Sequence, residues 1–209
     1  MRTTTCVSRS HVRLWLGLLF ILPCAVFALS HRYDAAGRLT WSVQPGGQAT
    51  HFAYDPAGNI TAIAVVTPAQ DTDADGLPDT WEVRFGGDET GRSATADADR
   101  DGLIDLQEFA FARLPDRPDG GGITPVSIES TAGGARLTLR YLRPVQGTAT
   151  LNYIAEVSGD MKTWSSAATE IESLAPVDQG NGLEQVTVRA KTATGSASRL
   201  FLRIRIEKR

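Results

Sequence analysis

The sequence predicts a mainly β protein with a small α-containing segment in its middle: β-hairpins first, paired loop–helix motifs next, and a C-terminal antiparallel β-sandwich. Three observations carry that prediction. Residues 31–66 hold a Tyr-Asp-x-x-Gly turn twice, each flanked by alternating residues. Residues 69–113 hold two aspartate-rich stretches in the same register, each running into a short apolar pattern with helical spacing. Residues 124–209 alternate apolar and polar side chains over short runs separated by Gly, Pro and Asp turn signals. A chain of 209 residues has room for two or three such small units, but not for a full barrel enzyme with additions.

The chain opens with a basic stretch followed by the apolar run LWLGLLFILPCAVFA, residues 14–28. Its length suits a signal-peptide core and falls short of the ~20 residues a membrane span needs. We therefore expect residues 1–30 to be an export leader, cleaved after Ala28 or Ser30. An uncleaved anchor is the alternative, which Pro23 and the short run disfavour. Lipid attachment at Cys24 is disfavoured by Pro23 before it. No second apolar run follows, so no membrane span is expected after cleavage.

Composition narrows the chemistry. Both cysteines, Cys6 and Cys24, lie in the leader, so the remainder has no disulfide, thiolate zinc site or cysteine nucleophile. His31 and His51 are the histidines left, which is little material for imidazole catalysis. Without Arg2, Arg9 and Arg13, 18 basic residues face 24 acidic ones, a net of −6. Such a chain is a poor partner for a phosphate backbone, and no nucleic-acid binding is expected.

In residues 31–66, HRYDAAGRLTWSV and FAYDPAGNITAIAV align, with Tyr33, Asp34 and Gly37 recurring as Tyr54, Asp55 and Gly58. Asp tolerates turn geometry and Gly supplies a positive φ, so each unit reads as strand, tight turn, strand. These residues resemble the YD repeats of the Rhs family, whose units are β-hairpins. Family members build large shells from many units, and two units enclose nothing. The resemblance implies a link to cell surfaces and glycans.

The acidic stretches are DTDADGLPDTWE, from Asp71 to Glu82, and DADRDGLIDLQE, from Asp97 to Glu108. Each has Asp at positions 1, 3, 5 and 9, Gly at 6 and Glu at 12. A hard divalent cation explains this spacing, because calcium takes six to eight oxygens and a 12-residue loop wraps it only with a sharp central turn. The expected ligands of one site are Asp71, Asp73, Asp75, the carbonyl of Leu77, Asp79 directly or through water, and bidentate Glu82. Those of the other are Asp97, Asp99, Asp101, the carbonyl of Leu103, Asp105 and Glu108. Two Ca2+ sites are thus expected. The segment from Asp71 to Glu108 carries 12 acids and 3 arginines, so the metal-free loops repel themselves.

These loops resemble EF-hand sites, and more closely the aspartate-rich, thrombospondin type 3-like repeats of exported bacterial proteins; dockerins share the loop-then-helix plan. No helical pattern precedes either loop, so each reads as a loop with an exiting helix only. Position 8 is Pro78 or Ile104, and Pro78 has no N–H for the backbone pairing of a symmetric EF-hand pair. Pro78 does suit the first turn of a helix over DTWEVRF, which Gly86 and Gly87 would end. Trp81, Phe85 and Phe109 are the expected small core beneath the sites.

Residues 114–123, LPDRPDGGGI, read as a linker that isolates the last unit. Beyond it, ARLTLRYL, LNYIAEV, EQVTVRA and RLFLRIRIE alternate as strands, which puts Leu137, Leu139 and Tyr141 on one face, and likewise Leu151, Tyr153, Ala155 and Val157, then Val186 and Val188, then Leu200, Leu202, Ile204 and Ile206. Trp164 is expected in the core, and the arginines of the last strand on a solvated face. YIAEVSGDMKTW with the closing RLFLRIRI resembles a C-terminal domain of exported proteins from Verrucomicrobia-type bacteria. The expected function is a secreted or cell-surface, non-catalytic calcium-binding protein, with calcium rigidifying a spacer between β modules; periplasmic residence is the variant. The alternative is glycan binding or adhesion through the β-sandwich or the hairpins, with a surface glycan or another exported protein as partner. A glycosidase would need paired carboxylates, and ten of the acids here belong to the loops.

Overall fold

A computed structural model describes residues 29–119, 124–196 and 199–209, so the leader expectation lies outside the described residues. The chain is mainly β, with antiparallel sheets and a small helical part.

The first sheet has four antiparallel strands in chain order, β1 (Ser30–Tyr33), β2 (Leu39–Val43), β3 (Ala49–Tyr54) and β4 (Ile60–Val66). The repeated residues build its turns identically. The Asp34 N–H donates to the Arg38 carbonyl at 2.9 Å, and Asp55 repeats this with Asn59 at 2.9 Å. The side chain of Asp34 accepts from the N–H of Ala36 and of Arg38, both at 2.9 Å, and from Arg38 Nε at 2.7 Å. Asp55 likewise accepts from the Asn59 N–H at 2.8 Å and its side-chain amide at 2.9 Å. These bonds hold both carboxyls below the usual range. They also explain why Arg or Asn follows the turn glycine: each reaches back to the aspartate that opens the turn. Across β2 and β3, Trp41 stands opposite His51 and stacks on it, centroids 4.2 Å apart.

Helix α1 (Asp79–Phe85) follows the first acidic loop, and α2 (Asp105–Ala110) follows the second. Residues two apart on a helix point about 200° apart. Val83 accordingly joins Trp41, Val43, Ala49 and Val66 under the hairpin sheet, while Trp81 joins the main core. Arg32 of β1 strengthens the first contact, donating to the carbonyls of Val83 and Arg84 at the end of α1.

The remaining strands are β5 (Val126–Thr131), β6 (Gly134–Pro144), β7 (Leu151–Ser158), β8 (Ile171–Ser173), β9 (Val177–Gly180), β10 (Leu183–Ala193) and β11 (Phe201–Lys208), with one helical turn, α3 (Gly147–Thr150), between β6 and β7. One sheet runs β5-β6-β10-β8 with β9 also on β10, and β11 pairs with β7 in a second. Of the faces the alternation predicts, Leu139, Tyr141, Leu151, Val157, Val186, Val188 and Leu202 are buried, while Leu137, Tyr153, Ala155, Leu200, Ile204 and Ile206 are partly buried against them.

Two expectations differ from the structure. The Pro/Gly stretch does not separate two cores: Leu77, Trp81, Phe109 and Phe111 share one cluster with Leu139, Tyr141, Leu151 and Val188. Among the described residues, hydrogen bonds cross the same boundary from Thr150 Oγ1 to the Gly76 carbonyl (3.0 Å), from Tyr153 OH to that of Ala110 (3.0 Å) and from Lys208 Nζ to that of Ala74 (3.1 Å). The two short helices have too few apolar residues to form a core of their own, and they use the strands instead. Trp164 is half-buried at the surface, with the Arg203 guanidinium 3.9 Å above its ring, because β11 directs its arginines outward over that turn. Arg203 and Arg205 both pair with Glu156, at 2.8 and 3.0 Å.

Candidate metal centre

Each acidic loop is closed by one backbone bond. The N–H at position 9, of Asp79 or Asp105, donates to the carbonyl just before the loop, Gln70 (2.9 Å) or Ala96 (2.7 Å). Within that ring, positions 4 and 6 both adopt left-handed φ: Ala74 +56° and Gly76 +99° in the first loop, Arg100 +63° and Gly102 +94° in the second. The glycines were legible as turn residues; position 4 was not, since neither Ala nor Arg favours that conformation.

This coiling gathers the carboxylates. One oxygen each from Asp71, Asp73 and Asp75 lie within 4.8 Å of one another, and so do oxygens from Asp97, Asp99 and Asp101. Backbone N–H groups hold them. Asp75 and Gly76 donate to Asp71 (3.1 and 2.9 Å), Leu77 to Asp75 (2.9 Å), Gly102 to Asp97 (3.2 Å), Asp101 to Asp99 (3.1 Å) and Leu103 to Asp101 (2.9 Å). Leu77 and Leu103, at position 7, thus tie the loop to its position-5 carboxylate, and Leu77 also anchors it in the core.

The glutamates at position 12 are fully buried. Glu82 accepts one bond, from the Arg92 N–H at 3.2 Å, and its Oε2 meets no donor. Neither oxygen of Glu108 meets a donor. Burial pushes both carboxyls up to about 8, with the charges of Asp73, Asp75 and Asp79 adding to it at Glu82, and those of Asp99 and Asp105 at Glu108. Burial likewise raises Asp71. Position 9 is occupied differently in the two loops. Both oxygens of Asp79 accept from Thr72, its N–H at 2.7 Å and its hydroxyl at 2.8 Å. Asp105 lies 3.5 Å from Arg92 Nη1, and burial raises its pKa despite that cation.

Two residues of this region carried no sequence signal. Arg92 serves both loops, through Glu82 and Asp105. Asp119 comes from the Pro/Gly stretch, and one of its oxygens lies with those of Asp101 and Glu108, all within 4.8 Å of one another. Its composition reads as linker; it lies 18 residues beyond Asp101, close to the 19 that separate Ala94 from Asp75.

The donor set is all oxygen, carboxylate-rich and partly buried, and three of the four glutamate oxygens lack hydrogen-bond donors. It suits a hard divalent cation, which neutralises charge that burial makes costly.

The family model described as RHS Repeat matches residues 33–76, a stretch that runs from the end of β1 through β2, β3 and β4 and enters the first acidic loop. Repeats of that kind are typical of extracellular and cell-surface proteins. Among the described residues no helix is long and apolar enough to cross a membrane. Neither the curated proteins nor the solved structures hold a match to this chain.

Proposed function

We propose that the protein is an exported, non-catalytic calcium-binding protein of the cell surface or extracellular space, in which two calcium ions rigidify the segment between its β modules. The observation that carries this reading is the pair of fully buried glutamates, each closing a loop of convergent aspartates, with three of their four oxygens lacking any donor. A buried carboxylate without a donor is costly unless a proton or a cation joins it. In this reading the loops are EF-hand-like halves of the thrombospondin type 3-like kind. The aspartates at positions 1, 3 and 5 hold the ion and the glutamate closes the site with both oxygens. Bound calcium supplies charge neutralisation and a fixed loop shape. Because α1 starts inside the first loop and packs Val83 on one module and Trp81 on the other, loop order becomes inter-module order.

Calcium titration of the purified protein by calorimetry, followed by circular dichroism, tests this. The expected result is two sites, helical signal rising with occupancy, and weak substitution by magnesium, which prefers a smaller octahedral shell. No heat and no spectral change at millimolar calcium would overturn it. The RHS Repeat match favours a second reading, adhesion to a surface glycan. Retention on a glycan array that persists in a calcium chelator would favour that reading over the first.

A further inference from the structure

We infer that Asp119, outside both loops, is a carboxylate ligand of the second calcium site, so that the ion there clamps the stretch leading into the C-terminal strands. The inference rests on the calcium reading of that loop. Asp119 Oδ1 is buried and meets no donor. One of its oxygens lies within 4.8 Å of oxygens from Asp101 and from Glu108, the fully buried carboxylate with no donor on either oxygen. Three acids converging at that range repel when ionised unless a cation lies between them.

The backbone shows that the approach is built. The Asp119 N–H donates to Asp101 Oδ2 at 2.9 Å, and in the first loop the Ala94 N–H donates to the corresponding oxygen of Asp75 at 2.7 Å. Each position-5 aspartate thus receives a strand of chain from beyond its exiting helix. In the first site the residue delivered is Ala94, which has no side-chain oxygen. In the second it is Asp119, which adds one. Arg113, 3.7 Å from Asp119 Oδ2, supplies only partial compensation for its charge. The sites are therefore unequal: the first is closed by its own loop, whereas the second is completed by the connection to β5.

The test uses calorimetry and thermal melting of the purified protein with calcium chloride, comparing Asp119→Asn with Asp116→Asn, an exposed acid of the same stretch. The expected result is that Asp119→Asn weakens one of two sites roughly tenfold or more, the direction that removing a charged ligand takes, while Asp116→Asn leaves both unchanged. In chelator, Asp119→Asn melts no lower than the unsubstituted protein, because it relieves repulsion. A merely structural ion pair with Arg113 would instead lower melting in chelator and leave calcium affinity alone, which overturns the inference. Two unchanged sites in Asp119→Asn also overturn it and leave the calcium reading standing. Equal weakening by both substitutions assigns the effect to bulk charge and overturns it too. No calcium binding by the unsubstituted protein overturns both readings together.

Discussion

Glu108 and Arg100 occupy the same loop and make opposite predictions. Glu108 is fully buried against Asp101 and Asp105 with no donor, whereas Arg100, at position 4, is exposed. Glu108→Gln is expected to weaken the second calcium site strongly by removing the bidentate closure, and Arg100→Gln to change little. Equal losses from the two substitutions, read by calorimetry, would contradict the loop geometry. The raised carboxyls add a pH dependence with a definite sign. In the metal-free protein Glu82 and Glu108 hold protons up to about pH 8, above the ordinary value of 4.5. Folded chains then bind more protons than unfolded ones between those limits, so metal-free stability falls as pH rises through that window. Calcium needs the ionised forms, so binding at pH 7 should release about two protons and tighten as pH rises toward 8. Binding enthalpies measured in buffers of different ionisation heat would show the release. An affinity flat between pH 6 and 9 would contradict it.

At the scale of elements, α1 and α2 have seven and six residues, well below the ~12 at which isolated helices begin to persist. Their order comes from packing and from the loops that start them. Trp81 contacts Phe85 and Phe109 at centroid distances of 5.0 and 5.8 Å, and this cluster requires both helices. Calcium should therefore raise helical far-ultraviolet signal and aromatic near-ultraviolet signal with one midpoint; separate midpoints would uncouple the helices from their loops. Val83→Ala removes the side chain that α1 places under the hairpin sheet. It should destabilise that contact by about 2 kcal/mol, as large-to-small core changes do, and leave calcium stoichiometry at two. Loss of a site in Val83→Ala would mean that the loop depends on the hairpins for its shape.

For the whole molecule, the shared core makes calcium binding and the C-terminal strands one cooperative question. Phe111 meets Tyr141 edge-on at 5.7 Å, and Tyr153 holds the Ala110 carbonyl, so the loop segment covers part of the sandwich. A fragment beginning at residue 124 would expose that surface and should melt at lower temperature than the same strands in the full chain. In the full chain, free calcium at a hundred times Kd stabilises by about 2.7 kcal/mol per site, a rise in Tm of roughly 5–10 °C for a chain of this size. The expected scan is one main transition moving with calcium. A scan in which the larger transition stays fixed while a smaller one moves would place the sandwich outside the calcium-linked unit.

What the sequence by itself determined is the set of features decided within a few residues. The aspartate side chain of each hairpin turn accepts from the N–H four positions on, that of Arg38 or Asn59. The spacing of acids in each loop sets which oxygens converge, and strand alternation names the inward faces. The structure places Asp71, Asp73 and Asp75, and Asp97, Asp99 and Asp101, together as that spacing implies. What only the tertiary structure decided depends on segments far apart in the chain. The use of Asp79 by Thr72, the service of Arg92 to both loops, the arrival of Asp119 at Asp101 and Glu108, and the single core spanning the Pro/Gly stretch are of this kind. The reason is physical. A turn or a coiled loop is specified by local dihedral preference and short-range hydrogen bonds, which repeat wherever the residues do. A short amphipathic helix has no such closure, and its apolar face goes to whichever surface the rest of the fold presents.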